Sequence, residues 1–292
     1  VGRTMFETDR VPDGWPERLN KLDEIWVPAR FHLSTFLEGG VTPDKLHVVP
    51  EAVDTVLFDP DSASPLTALD EDKRYKFLSI FKWEARKGWD VLLRAYFSEF
   101  RREDSVVLYI RTYAYHSASN FREMIGEFAR KEFSKELEEL PDIIIMSDEM
   151  ELQQMPRLFK GADAFVLPSR GEGWGRPHIE AMAMGLPTMA TNWSGNTEFM
   201  LEGNSFLIPI EGLVPVADGA FKGHLWADPS VMGLRKIMRN CQQNVEECRK
   251  VGQAGREHIL AHYTPEKVGQ VVLQHLHRIE QRLRARKGGA EL

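Results

Sequence analysis

Cysteine is scarce in this chain, with Cys241 and Cys248 alone among 292 residues, which excludes a disulfide framework and a four-ligand cysteine zinc site. Thiols so few are expected in a reducing compartment. No apolar run approaches the roughly 20 residues that cross a bilayer, and the first residues lack the apolar core of a signal peptide. Positive charge is in deficit: 37 Lys and Arg stand against 44 Asp and Glu, a formal net charge of −7. Such a surface does not displace counterions from phosphate, so nonspecific nucleic-acid binding is not expected. A soluble protein of the cytoplasm, or one peripheral to a membrane, fits these absences. No internal repeat is visible.

The remaining composition, 42% hydrophobic and 28% charged, suffices for one or two substantial cores. Asp23-Glu-Ile-Trp-Val-Pro28 and Lys45-Leu-His-Val-Val-Pro50 read as strands flanking a helix over 31–38, about one α/β unit. Asp54 to Lys73, with Asp-Pro-Asp-Ser-Ala-Ser-Pro and an acidic run, reads as a linker. Strands over 76–81, 106–110, 143–146, 164–168 and 188–191 then alternate with helices over 89–100, 121–140, 157–161 and 177–184. Alternation of this kind predicts a doubly wound parallel sheet, Rossmann-like, with helices on both faces. Residues 211–222 are rich in proline and glycine and read as an inserted surface loop. Helices are expected over 244–261 and 265–284, the last running into a basic tail.

Ligands on such sheets lie beyond the carboxyl ends of the strands, which points to the loops 82–88, 169–176 and 192–198. The richest of these is Pro168-Ser-Arg-Gly-Glu-Gly-Trp-Gly-Arg-Pro-His-Ile-Glu180. Strand 164–168 runs into a loop with glycines at 171, 173 and 175, and Pro177 follows at a first helical position. Glycines let a backbone approach a ligand, and the helix that follows turns its positive dipole end toward an anion, here expected to be a phosphate ester. Two carboxylates, Glu172 and Glu180, flank the turn.

Glu172 and Glu180, with seven residues between them inside this context and Ala-Met-Ala-Met-Gly-Leu-Pro after, resemble the E-x7-E donor site of retaining glycosyltransferases of the GT-B fold, family 4 type. The resemblance extends over most of residues 23–275, including Val48-Val-Pro50, Asp54 and the helix after Tyr263-Thr-Pro. It implies that residues 1–55 end an N-terminal, acceptor-side Rossmann-like domain and that 56–73 link it to a donor-binding domain over 74–264. Residues 265–292 would form the C-terminal helix and tail. It further implies a nucleoside-diphosphate sugar as donor substrate, a carbohydrate or other hydroxyl acceptor, no cofactor, no metal, and transfer with retention of configuration. A partner supplying the rest of the N-terminal domain, or a second copy of the chain, is also expected.

In Lys82-Trp-Glu-Ala-Arg-Lys-Gly88 the family holds the donor diphosphate with two basic residues five positions apart, occupied here by Lys82 and Lys87. Lys82 stands where arginine is usual, giving up a bidentate fork that Arg86 could supply instead. Glu172 would bind sugar hydroxyls and Glu180 the ribose, with Gly173, Trp174, Gly175 and Arg176 completing the donor loop. Glu198, in Ser194-Gly-Asn-Thr-Glu198, matches a family glutamate whose role is to accept backbone hydrogen bonds at the crevice floor. Trp174 could pack over the sugar or cover the loop, and His178 could reach a ligand or pack. The segment 146–151 follows a strand where the family meets the nucleotide base. Asp59-Pro-Asp61 reads as a turn, despite resembling a metal-binding Asp-x-Asp. His258 and His262 lack the glutamate of a His-Glu-x-x-His site and read as surface or packing residues. Alternatives to transfer are a GT-B epimerase or phosphorylase, or a nucleotide-sugar-binding half-protein or subunit without its own activity.

Overall fold

The computed structural model describes residues 1–113 and 120–288. A first unit contains β1 (Gly2–Arg3), α1 (Trp15–Leu19), β2 (Ile25–Val27), α2 (Phe31–Glu38) and β3 (Leu46–Val48). Its strands form a parallel sheet in the order β1-β2-β3 over a small core around Phe6, Ile25, Val27 and Phe36.

A second unit carries α3 (Thr67–Glu71), β4 (Tyr75–Lys82), α4 (Trp89–Glu99), β5 (Val106–Tyr113), α5 (Phe121–Phe133), β6 (Ile143–Met146), α6 (Met155–Lys160), β7 (Ala164–Leu167), α7 (Arg176–Ala183), β8 (Thr188–Thr191) and β9 (Phe206–Ile208). It continues with β10 (Ile210–Pro215), β11 (Leu225–Pro229), α8 (Val231–Gln243), α9 (Val245–His262) and α10 (Pro265–Gly288). Six strands form one sheet in the order β6-β5-β4-β7-β8-β9, all parallel. Helices cover both faces, so β7 and β8 are buried along their whole length and read in sequence as short apolar runs. The expected doubly wound α/β architecture is what forms.

The structure departs from the sequence reading where local capping or long-range pairing decides. Helix α5 stops at Phe133 instead of 140 because Ser134 adopts a left-handed conformation, φ 55°, and Glu136 then starts a separate 3-10 turn with a capping box. Residues 67–71, read as linker, form α3, whose Leu69 is fully buried. Residues 211–222 are not simply a loop: β10 pairs antiparallel with β11, and the alternating burial of 210–215 is the period-two signal that proline and glycine had masked.

Helix α10 returns to the first unit. There Glu24, 1% exposed, accepts from Arg278 at 2.9 and 3.0 Å and from Trp26 at 3.2 Å. Residues 289–292 of the expected basic tail lie outside the described residues. Among the described residues no helix is long and apolar enough to cross a membrane. Cys241 and Cys248 are buried free thiols.

Candidate functional site

β4 ends at Lys82 and passes through a 3-10 turn, Ala85–Lys87, into Gly88, whose φ of 65° opens α4. A Cβ at Gly88 would lie 2.0 Å from the carbonyl oxygen of Pro168. The basic turn and the end of β7 are therefore in backbone contact that only glycine permits.

That contact brings Lys87 onto Glu172. Lys87 Nζ donates to both carboxylate oxygens, at 2.7 and 2.9 Å, and Ser169 Oγ donates to Oε1 at 2.6 Å. Arg86 adds a second cation, 3.5 Å from Oε2. Burial alone would raise the Glu172 pKa, but the charges of Lys87, Arg86 and His178 outweigh it and hold the carboxyl at about 2.

Arg86 does not offer a vacant fork. Its Nε faces Glu7 at 3.1 Å, Nη2 donates to Glu84 at 2.8 Å, and Nη1 donates to the Gly171 carbonyl at 2.9 Å. Glu7 comes from the first unit, so this guanidinium ties the two units together at the mouth of the site.

The loop glycines also do something other than admit ligand. A Cβ at Gly171 would meet the Glu7 carbonyl oxygen at 2.3 Å, one at Gly173 would meet Met5 Sδ at 2.5 Å, and one at Gly195 would meet the Gly173 carbonyl at 2.2 Å. These positions are bare so that the segment from Met5 to Glu7 and the 194–195 turn can close on the loop. Ser194 Oγ accepts from Glu172 N at 3.2 Å and donates to its carbonyl at 2.8 Å, holding the loop from below. Gly175, by contrast, needs its conformation, φ 99°, to start α7.

Glu180 lies on α7, 9% exposed, with Arg176 Nε at 3.7 Å as its ionic neighbour. Burial raises its pKa to about 7, against only a partial pull from Arg176. The folded chain thus keeps a proton that the unfolded chain releases near 4.5, so Glu180 costs stability increasingly as pH climbs from about 4.5 to 7. Glu180→Gln is expected to gain on the native chain across that window, by on the order of 3 kcal/mol above it. Denaturation free energies at pH 5 and pH 8 check this; a difference that does not change with pH would refute it.

Trp174 is 2% exposed, its ring centred 4.9 Å from Phe199 and 5.7 Å from Tyr263, so it plugs the loop from behind. His178 faces inward, with Nε2 3.3 Å from the Leu167 carbonyl and its ring against Phe165 at 5.7 Å; it packs. Glu198 accepts from the backbone N of Arg30, the residue before α2, at 2.7 Å. Asp59 accepts from Asp61 N and Ser62 Oγ in a turn and pairs with Arg256 at 2.8 Å. His262 Nδ1 lies 2.9 Å from the carbonyl of His258 on the same helix.

Lys82, Arg86, Lys87, Glu172, Gly173, Trp174, Gly175 and Arg176 line one cleft of about 430 Å³ at the carboxyl end of the sheet. Glu180 stands one turn behind it, and Glu198 and the 192–198 loop lie beneath. Met5, Glu7, Glu51 and Tyr113 line the same cleft. Sequence reasoning missed Met5, Glu7 and Glu51 because nothing local marks a residue brought in from another unit, and Tyr113 because it is the last residue of β5. The β10–β11 hairpin was missed likewise: it straps this segment down, with Asp9 N donating to Leu225 O at 2.9 Å and Thr8 Oγ1 2.8 Å from His224 Nδ1. A larger cleft, about 890 Å³, opens at the opposite end of the sheet. Two ion pairs run along it, Asp72 with Arg74 at 2.8 Å and Asp163 with Lys76 at 3.4 Å, and the smaller cleft is the one that gathers convergent buried charge.

The model of the family described as glycosyl transferases group 1 matches residues 73–219. D-inositol 3-phosphate glycosyltransferase of Acidothermus cellulolyticus is 26% identical over 230 residues, 76% of this chain and 50% of that protein. Sucrose-phosphate synthase of Thermosynechococcus elongatus superposes with a TM-score of 0.71 at 17% identity, covering 91% of this chain and 60% of that one. The Anabaena protein HepE, solved with UDP and glucose, gives 0.71 at 13% identity, covering 90% and 65%. The chain thus spans less than two thirds of each of these relatives. The structural neighbours establish the GT-B type of fold, and the family match covers β4 to β10 with the whole of the cleft's basic turn and glycine loop. The chain belongs to the glycosyl transferases group 1 family.

Proposed function

We propose that this protein transfers a sugar from a nucleoside-diphosphate sugar to a hydroxyl acceptor with retention of configuration, and that the 430 Å³ cleft is the donor site. The observation that carries the reading is the buried Lys87–Glu172 pair at 2.7 Å, a cation and a carboxylate side by side where a diphosphate and the sugar it carries would lie. The family match and the UDP and glucose bound to HepE agree with it.

In the reaction the bond between the anomeric carbon and the diphosphate oxygen breaks, leaving an oxocarbenium-like sugar. The acceptor oxygen bonds to that carbon on the same face, and its proton passes to the leaving phosphate. Negative charge develops on the leaving group, where Lys87, Lys82 and the positive end of α7 stabilise it. Ionised Glu172 accepts from sugar hydroxyls and Glu180 from the ribose. Neither carboxylate is required as a nucleophile, and no metal or cofactor is required to balance the diphosphate.

Titrating UDP-, GDP- and ADP-sugars against the chain, with the free nucleotides alongside, tests this. At pH 8, above the raised pKa of Glu180, Glu180→Ala is expected to weaken free nucleotide and nucleotide sugar alike, and Glu172→Ala mainly the sugar's contribution, each by roughly tenfold or more, the worth of a hydrogen bond to a charged acceptor. Equal and negligible losses would remove the assignment. A chelator is expected to leave the affinities unchanged; loss restored by magnesium or manganese would overturn the metal-free reading. Binding without release of glycosylated product would instead support a donor-binding half that needs further chain for turnover.

A further inference from the structure

We propose that donor binding hands Lys87 from Glu172 to the diphosphate, and that Arg86 is the positioning residue that then keeps Glu172 in place as a carboxylate for the sugar. This rests on the donor-site reading above. In the ligand-free chain each half of the site occupies the other. Lys87 spans both oxygens of Glu172 at 2.7 and 2.9 Å, and Ser169 takes a further position on Oε1. With Lys87 and Glu172 only 8% and 5% exposed, neither has water to fall back on. Sugar hydroxyls meet a carboxylate already filled, and a diphosphate meets a lysine already neutralised.

The two cations differ in what they can do next. Lys87 carries a point charge on a flexible stem and can turn to a second anion, and a diphosphate offers more charge than one carboxylate. Arg86 cannot follow. Its planar fork is fixed by Glu7 on Nε, the Gly171 carbonyl on Nη1 and Glu84 on Nη2, while Nη1 stays 3.5 Å from Glu172. Departure of Lys87 therefore bares Glu172 oxygens without stranding a buried charge. The nucleoside diphosphate and the sugar become positively coupled ligands, because the first vacates the acceptor that the second needs.

The exchange predicts an inverted sign at Glu172. A contact residue, when replaced, leaves free nucleoside diphosphate unaffected or weaker; here Glu172→Gln releases Lys87 and should tighten UDP or GDP by about tenfold, the worth of one charge-assisted bond. The same variant should lose the extra affinity that the sugar confers. Because this substitution also disturbs a buried pair, the unaltered chain supplies a second measurement: free glucose or mannose should bind about tenfold more tightly in saturating UDP or GDP than without it. Arg86→Lys, which keeps charge but loses the fork, should shrink that gain by a larger factor than it changes the affinity for the nucleoside diphosphate alone; a merely structural Arg86 would lower both equally. Nucleoside diphosphate binding to Glu172→Gln that is equal or weaker, or free hexose indifferent to it, overturns the exchange while leaving the donor site standing. An unaltered chain that binds neither UDP nor GDP, with Lys87→Ala no different, overturns both.

Discussion

Lys87→Ala is expected to weaken donor binding sharply and to destabilise the fold together. The first loss is that of a charge-assisted contact to phosphate, a factor of about ten to more than a hundred. The second arises because buried Glu172 would keep only Arg86, at 3.5 Å, and the Ser169 hydroxyl in place of its closest cation, and stripping the main partner from such a pair costs up to about 3–5 kcal/mol. Its pH dependence follows from the low pKa of Glu172. In the native chain that carboxyl titrates near 2 instead of 4.5, so its pairing stabilises the fold fully above about pH 4.5 and is lost as pH falls through 2. The gap between Lys87→Ala and the native chain should therefore be widest at neutral pH and narrow as pH falls toward 2, where the native carboxyl is protonated too and its pairing is lost. Denaturant titrations at pH 7 and pH 3 measure it. Replacing both partners, Lys87→Met with Glu172→Met, should recover much of the stability and none of the binding. A single variant as stable as the native chain at pH 7 would contradict the buried pair.

What the sequence disclosed and what it withheld divide along one physical line. Parallel strands buried on both faces are apolar runs, and the glycine loop with its two glutamates is contiguous, so the sheet and the Glu172 to Glu180 segment were legible. Lys82 and Lys87 were singled out by the resemblance to the family's basic pair, and they line the cleft with Glu172. Partners were not legible. That Arg86 is held by Glu7, 79 positions earlier in the chain, or that Gly171 and Gly173 are bare to admit Glu7 and Met5, depends on how the first unit meets the second, and no local pattern encodes it. The β10–β11 hairpin failed for a related reason: its strands owe their stability to each other and to Asp9 and Thr8, against residues that individually favour turns.

Gly88→Ala is expected to be the most disruptive single methyl group that can be added near the site. Two costs add. A φ of 65° is the left-handed region, worth roughly 1–2 kcal/mol against a residue with a Cβ. The methyl would also stand 2.0 Å from the carbonyl oxygen of Pro168, a backbone atom at the end of β7 that no rotamer change can move. Relief requires the basic turn and the glycine loop to part, with a cost of the order of 1–3 kcal/mol for such overpacking. The total is about 2–5 kcal/mol, and it falls on the contact that brings Lys87 to Glu172, so donor affinity should fall with stability. Gly203→Ala is the control: φ there is 87°, and nothing lies within 4 Å of the added carbon, so it should show the conformational cost alone, with donor binding intact. The difference between the two variants in denaturation free energy isolates the collision. If Gly88→Ala proves no worse than Gly203→Ala, the turn at 85–88 and the end of β7 do not touch as described, and the route by which the fold assembles its cation and carboxylate must be different.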